Sequence, residues 1–312
     1  MTRRPRILVT GGSGRLGSYV VDALLDVFEV RVLDISRPRQ DVETMLGSVE
    51  DRDLINEAVK GVDAVIHLAN LDAGVRKPEH EFIRINVGGT WNMLEAAERA
   101  GVERFIYASS YNVTGFSRNF PPQYLPVDTA HPLNPVHAYG ISKVLAEDLC
   151  EAFSRRSTMK VVCLRPPLIL RDAAVYNLIK VTAEAEGTPL PPAASHPSWQ
   201  ERSVLSDSRA YVTSRDAARC FRKALEADIG QFGIFNVMAP DTYSALPTLE
   251  VLRREYAAEV EVRDPARYAG NSRSTIYEID STREILGWSA EESYEDVLAR
   301  MIAFARDEEP AT

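Results

Sequence analysis

What most constrains this chain is a rhythm. Between residues 6 and 165, short β-branched runs alternate with longer amphipathic ones: RILVT, LGSYVVDALLDVF, EVRVLD, RDLINEAVKG, VDAVIHLA, EHEFIRINVGGTWNMLEAAERA, VERFIYAS, VHAYGISKVLAEDLCEAFSR and KVVCLRP. Parallel strands need a long crossover, and a helix on that crossover covers one face of the sheet, so the repeat leaves few topologies. The strand runs are apolar throughout, as strands buried on both faces should be. The rhythm therefore predicts an α/β fold, a doubly wound parallel sheet with helices on both faces. It breaks after Arg165. The segment EGTPLPPAASHPSWQERSVLSDSRA, residues 186 to 210, is rich in Pro and Ser and reads as irregular. A strand and helix resume in AYVTSRDAARCFRKALE, with a further strand in GIFNVMA and a closing helix in EDVLARMIAFARDEE. The expected division is a larger unit over 1–165 and a smaller mixed lobe over 166–312, some of whose segments return to the sheet.

Composition narrows the partners. The 312 residues carry a formal charge of -9, which works against general affinity for nucleic acid, because phosphate neutralisation needs clustered Lys and Arg. Cys150, Cys163 and Cys220 are odd in number, far apart and set in apolar surroundings, so buried reduced thiols are expected in place of a disulfide or zinc framework. The five histidines show no metal spacing, and His67 at a strand end reads as a packed or hydrogen-bonded residue. The start MTRRPRILVTGG has the charge of a signal peptide, but glycines interrupt its apolar run after ILV. No apolar stretch approaches the roughly 18 residues of a membrane span. The expectation is a soluble, cytoplasmic protein with no metal, nucleic acid or membrane partner.

The first strand runs into TGGSGRLG, where Gly11, Gly14 and Gly17 fall three apart. A glycine-rich turn between strand and helix offers free backbone N–H groups at the positive end of the helix dipole, which suits a pyrophosphate. Gly11 permits the tight turn, Gly14 lets the backbone approach phosphates, and Gly17 allows close packing of helix on strand. The second strand ends in Asp34, seventeen residues past Gly17. A carboxylate there can accept both ribose hydroxyls of an adenosine and repels a 2′-phosphate, favouring NAD over NADP. Arg37 and Arg39, just beyond, are able to accommodate that phosphate and temper the preference.

A second constellation is YGISK. Tyr139 and Lys143 are four apart, so on a helix they share a face. A phenol ordinarily titrates near pH 10, but an adjacent ammonium stabilises the phenolate, which makes Tyr139 a candidate acid and base. About thirty residues upstream, the strand RFIYASS ends in Ser109 and Ser110. Ligands of open parallel sheets bind beyond the carboxyl ends of the strands, where these hydroxyls are expected to lie.

The ordered set TGGSGRLG, VLD, HLA, NVGGTWNMLEAA, YASSYNVTG, YGISK and LRP resembles the extended branch of the short-chain dehydrogenase/reductase superfamily, the NAD-dependent epimerase/dehydratase family. YVTSRDAA, IFNVMAP and STREILGW continue the resemblance more faintly across nearly the whole chain. It implies a Rossmann dinucleotide-binding unit over 1–165 and a substrate lobe over 166–312. Gly11, Gly14 and Gly17 would cradle the pyrophosphate with Arg15 and Leu16, and Asp34 would hold the adenosine ribose. Ser48, Val49, Leu68, Ala69 and Asn86 would line the cofactor, as would Ser109, Tyr139, Lys143 and Pro166. Ser110, Tyr139 and Lys143 match the family's catalytic serine, its acid/base and its ribose-binding lysine. Ser110, Tyr111, Asn112 and Arg209 would meet the substrate.

Departures from the pattern bear on the reaction. Tyr111 and Asn112 follow Ser110 where sugar dehydratases of the family carry an acidic pair, so the acid that a 4,6-dehydration needs is lacking. Leu168 in LRPPLILRD stands where many nucleotide-sugar epimerases have an asparagine that meets the diphosphate, and their Gly-Pro pair is absent. Gly47–Ser48 replaces an adenine-contacting Gly-Asp. The stretch SSYNVTGF is similar to the matching segment of uronate dehydrogenases, which oxidise free sugar acids. The resemblance thus implies an NAD-dependent oxidoreductase that moves a hydride at a secondary alcohol or ketone of a sugar or sugar acid. The alternatives are a nucleotide-sugar 4-epimerase that retains its NAD, and a non-catalytic dinucleotide sensor on the same fold. The resemblance further implies a homodimer through helices near residues 80 to 98 and 137 to 154.

Overall fold

An apolar run such as RILVT sends successive side chains to opposite faces of a sheet and needs cover on both. The computed structural model, which describes residues 3–170, 186–187, 208–256 and 258–307, provides it with seven parallel strands between two helical layers. The strands are β1 (Arg6–Thr10), β2 (Glu29–Asp34), β3 (Glu43–Leu46), β4 (Ala64–His67), β5 (Arg104–Ala108), β7 (Lys160–Arg165) and β10 (Phe232–Asn236). Short strands β6 (Tyr124–Leu125) and β8 (Leu168–Leu170) pair separately with β11 (Glu261–Val262) and β9 (Tyr211–Thr213).

The spatial order is β10-β7-β5-β4-β1-β2-β3. The chain moves outward from β1 to β3, then returns to lay β4 on the other side of β1. At such a reversal the two connections leave in opposite directions and open a crevice beyond the strand ends. The alternation of each strand divides the core in two. Ile7, Val9, Ile66, Ile106 and Leu164 face α1 (Gly17–Leu24) and α6 (Ser214–Glu226). Leu8, Val65, Phe105 and Val161 face α2 (Arg52–Ala58), α4 (Gly88–Ala100) and α5 (Ala138–Arg156). Cys150, Cys163 and Cys220 are free and buried in these layers.

Three features depart from the sequence expectations or refine them. β3 was not expected, because ETML is a half-exposed edge strand with no apolar run to announce it. The run from Glu79 to Ala100 is not one continuous α-helix: α3 (Glu79–Phe82) and α4 are joined by a π-helical turn, Ile83–Val87. That wider turn carries Asn86 inward, where it is buried. The segment after Arg165 also gives more than a separate lobe, since α6 packs against α1 and β10 extends the sheet beside β7. Of the remaining C-terminal elements, α7 (Thr248–Glu255), α8 (Pro265–Gly270) and α10 (Tyr294–Asp307) surround smaller clusters built on Tyr211 and Tyr243 and on Tyr268 and Tyr277, while α9 (Asp280–Leu286) packs against α6 and β10 and sends Leu286 into the first core layer. Of the Pro- and Ser-rich stretch 186 to 210, residues 188–207 lie outside the described residues. No helix among the described residues is long and apolar enough to cross a membrane.

Candidate active site

The parallel register brings the quoted motifs to one edge. Thr10 lies opposite Leu33 and His67, and His67 lies opposite Tyr107, so TGG, VLD, HLA and ASS all begin at the same level of the sheet. The turn after β1 is shaped by contacts that only glycine permits. Gly11 has φ +70, and a Cβ on it would stand 2.7 Å from the Ala69 nitrogen. A Cβ on Gly17 would stand 2.0 Å from the Gly11 carbonyl oxygen, so α1 starts pressed against the turn. Gly14 and Arg15 are exposed between them. No side chain caps α1 and its first turn holds no acidic residue, which leaves its positive end for an anion.

Asp34 stands beside this turn. Its carboxylate accepts from the Ser13 N–H at 2.9 Å and from the Ser36 N–H at 3.1 Å. Arg39 does not share the place: it pairs with Asp22 and lies 5.7 Å from the Tyr19 ring centre, on α1. The Gly47 N–H donates to the Asp34 carbonyl at 2.9 Å, which brings Ser48 and Val49 to the same side.

At the reversal between β1 and β4 the hydrogen bonds form a directed chain. The Ala69 N–H donates to Thr10 Oγ1 (3.2 Å), which lies 2.7 Å from His67 Nδ1. His67 Nε2 lies 3.2 Å from Thr90 Oγ1, which donates to the Asn86 carbonyl at 2.5 Å. With the Thr90 proton committed to that carbonyl, Nε2 carries a proton and donates to Thr90, and in the neutral ring Nδ1 accepts from Thr10. Burial, reinforced by the charge of Lys143, lowers the His67 pKa to about 3, so the ring is neutral near pH 7. The Asn86 side chain continues the chain. Its Oδ1 accepts from the Leu71 N–H (2.7 Å), and its Nδ2 donates to the Leu71 carbonyl (3.1 Å) and to Ser142 Oγ (3.0 Å). Ser142 Oγ in turn donates to the Tyr139 carbonyl at 2.7 Å, tying the loop after β4 to α5.

Ser110, Tyr139 and Lys143 converge. Ser110 follows β5, and its hydroxyl accepts from the Asn112 N–H and side-chain amide, each at 3.2 Å. It also makes a side-chain hydrogen bond with Tyr139, whose ring is flanked edge-on by Phe82. Lys143 is 1% exposed, donates to the Ala108 carbonyl at 2.7 Å and lies 5.5 Å from the Tyr139 ring centre. Burial lowers the Lys143 pKa to about 8, against the pull of Asp72 and Glu147. Burial raises the Tyr139 phenol well above its ordinary value, the negative charge of Asp72 adds to that, and the bond from Ser110 opposes both.

Other expected residues have partners of their own. Ser109 is turned away from Tyr139: its hydroxyl donates to Glu147 at 2.5 Å, and Glu147 holds Arg165 through two bonds of 2.8 and 2.7 Å. The Pro166 carbonyl accepts from the Tyr111 N–H at 3.0 Å. Leu168 packs in β8 against the cluster around Tyr211. Arg209 is 3% exposed and bound to two carboxylates, Glu255 at 2.5 Å and Glu186 at 3.5 Å. The expectation that it meets a substrate phosphate required a free guanidinium, and here its charge is already neutralised by the fold. Sequence reasoning missed Asp72 and the Glu147–Arg165 pair. Glu147 did leave a signal, since it continues the four-residue spacing from Tyr139 through Lys143 on the same helical face; Asp72 lies in an irregular loop and left none.

Residues 7–237 match the sequence profile of the NAD dependent epimerase/dehydratase family. A uronate dehydrogenase of Pseudomonas syringae is 32% identical over 165 residues, 51% of this chain and 58% of that protein. An L-arabinose 1-dehydrogenase (NAD(P)(+)) of Haloferax volcanii is 33% identical over 174 residues, 51% of this chain and 65% of that one. The matches thus span less than two thirds of these relatives' own length. Among solved structures, a short-chain dehydrogenase/reductase superfamily protein from Agrobacterium tumefaciens with bound NAD is 26% identical, with TM-score 0.69 and 97% of each chain covered. The enzyme WbmG of Bordetella bronchiseptica, in complex with NAD, is 25% identical with TM-score 0.66, covering 98% of this chain and 95% of that one.

Proposed function

We propose that this chain, which belongs to the NAD-dependent epimerase/dehydratase family, oxidises a secondary alcohol of a sugar or sugar acid, with NAD as hydride acceptor. The observation that carries this reading is the meeting of Ser110, Tyr139 and Lys143 at the strand edge beside the β1–β4 reversal.

The residues present fit NAD. The turn through Gly11, Gly14 and Gly17 has the exposed backbone and uncapped helix that a pyrophosphate needs, and a Cβ at either end of it would collide with backbone. Asp34 offers the ribose a carboxylate at the end of β2. Arg39, one of the two arginines able to take a 2′-phosphate, is held by Asp22 on α1, which further favours NAD. When bound, the nicotinamide supplies the hydride acceptor and, while oxidised, a positive charge.

The remaining work belongs to the chain. Ser110 donates to the substrate oxygen and orients it. Tyr139 takes the proton of the substrate hydroxyl, returning it when the reaction runs backward. Its burial and the Asp72 charge hold the phenol protonated in the free protein, so Lys143, buried beside its ring, is needed to favour the phenolate. Two bonds from Asn86 to Leu71 and one to Ser142 keep the loop after β4 against the tyrosine helix. The neutralised Arg209 and the packed Leu168 leave no diphosphate anchor at the positions where epimerases of the family carry one, which favours net oxidation over epimerisation.

We further propose a homodimer. Its support is that Trp91, Ile83, Ile141 and Leu145 remain partly exposed on adjacent helical segments that pack against each other.

The test is a panel of free aldoses, uronic acids and nucleotide sugars incubated with NAD. NADH accumulation is expected from a free sugar, and Tyr139→Phe should lower turnover at least ~100-fold while NAD affinity stays within a few-fold. Full turnover in Tyr139→Phe refutes the assignment; sugar conversion without NADH identifies an epimerase.

A further inference from the structure

We propose that Glu147 is a positioning residue for the reaction: through Ser109 and Arg165 it fixes the strand ends that carry Ser110 against the helix that carries Tyr139 and Lys143. The inference rests on the hydride-transfer reading above and deepens it.

Tyr139, Lys143 and Glu147 follow one another at four-residue intervals along α5, so they share one of its faces. Both oxygens of the buried Glu147 carboxylate are engaged. Oε1 accepts from Ser109 Oγ at 2.5 Å and from Arg165 Nε at 2.8 Å, and Oε2 accepts from Arg165 Nη2 at 2.7 Å. Ser109 and Arg165 are themselves buried. Arg165 Nη1 also donates to the Thr129 carbonyl at 3.4 Å, in the segment that leads into α5. One carboxylate thus joins α5 to the ends of β5 and β7 and, through Arg165, to that segment.

These ends are where the sheet stops guiding the chain. Ser110 lies past the end of β5, between two fixed neighbours. Ser109 is held by its N–H on the Leu164 carbonyl (2.8 Å) and by its hydroxyl on Glu147. Tyr111 is held by its N–H on the carbonyl of Pro166 (3.0 Å), the residue after Arg165. Glu147 therefore grips the chain on one side of Ser110 directly and on the other through Arg165. A buried ion pair is seldom more stabilising than an apolar pair of the same volume, because desolvation offsets the attraction. What the carboxylate adds is direction, since it takes the Ser109 hydroxyl and the guanidinium fork at set angles. Reacting groups need that, because a misplacement of about 1 Å can cost on the order of 100-fold in rate. Glu147 acts on the reacting atoms only through these partners.

The experiment is a mutant cycle on kcat with the sugar that the panel above identifies, read as NADH formation or, for an epimerase, as sugar conversion. Ser109→Ala removes one hydrogen bond and no charge. It should lower kcat about tenfold or more, with the KM for sugar and the affinity for NAD held within about twofold. Glu147→Leu combined with Arg165→Met removes the buried pair and should lower kcat at least as far in a protein that remains folded by circular dichroism. In that background Ser109→Ala should change kcat by less than about twofold, because its acceptor is already gone. Unchanged kcat in Ser109→Ala, or losses in the cycle that simply multiply, overturns the proposal and leaves the hydride-transfer reading standing. Weaker NAD binding with unchanged kcat overturns it too, because Ser109 then touches the cofactor. If the combined variant does not fold, the split between kcat and KM in Ser109→Ala decides alone. A wild type that converts no sugar refutes the hydride-transfer reading, and hydrogen exchange of residues 109–115 then decides the hold on Ser110. Faster exchange there in Ser109→Ala supports it, and unchanged exchange refutes it.

Discussion

Lowering the pH should destabilise this protein through His67 before most of its carboxylates matter. The imidazole is 1% exposed, between Thr10 and Thr90, and its burial disfavours the charged form. Its pKa is about 3 in the fold against 6.5 when unfolded. The unfolded chain therefore binds the extra proton first, and stability falls as the pH drops below 6.5, continuing until the folded form is also protonated near 3. At 1.36 kcal/mol per unit, the loss is roughly 2 kcal/mol at pH 5 and approaches about 5 kcal/mol near pH 3. Urea unfolding between pH 7 and pH 4.5 measures it. Carboxylates contribute to the same window, so the comparison is with His67→Gln, whose amide can accept from Thr10 or donate to Thr90 but does not titrate. The variant should be weaker at pH 7 by about 1–3 kcal/mol, yet its stability should fall less steeply with pH. Parallel slopes in the two proteins, or a His67 ring signal that titrates near pH 6, would refute the reasoning.

Two more outcomes follow from buried charge and from the glycine turn. Glu147→Gln should cost roughly 3–5 kcal/mol in urea unfolding, because Arg165 would keep a buried charge without its partner. Glu147→Leu combined with Arg165→Met should recover most of that loss, and equal losses in the single and double variants would contradict this account. Asp34→Ala should weaken NAD about tenfold or more by calorimetric titration, through lost ribose bonds and through release of the Ser13 N–H that steadies the turn; an unchanged affinity removes Asp34 from the ribose site.

The doubly wound sheet was legible because its strands are apolar on both faces. Ile7 and Val9 enter one core and Leu8 the other, and that double burial is what a continuous apolar run records. β3 was not legible, since an edge strand half in solvent has no such run. The π turn was hidden for another reason: the 3.6-residue pattern from Glu79 to Ala100 continues across the insertion, and only the inward turn of Asn86 reveals it. The meeting of Ser110, Tyr139 and Lys143 was legible because one strand end and one helix face suffice to bring them together. Contacts made by remote partners were not legible. Arg209 reads as a free cation until Glu186 and Glu255 come to it through the fold, and Ser109 reads as a site hydroxyl until Glu147 accepts its proton. Arg39 likewise reads as a neighbour of the ribose until Asp22 draws it to α1.

The neutrality of His67 also bears on the proposed catalysis. His67 and Lys143 are buried near the same reversal, close enough for the lysine's charge to depress the histidine. Two positive charges in that space would repel each other at low dielectric, and desolvation penalises both. With His67 near 3 and Lys143 near 8, the lysine alone is charged between those values. Thr10 and Thr90 hold the imidazole, burial keeps it neutral, and the positive charge left between the two groups is that of Lys143 beside the Tyr139 ring, where the proposed mechanism needs it to favour the phenolate.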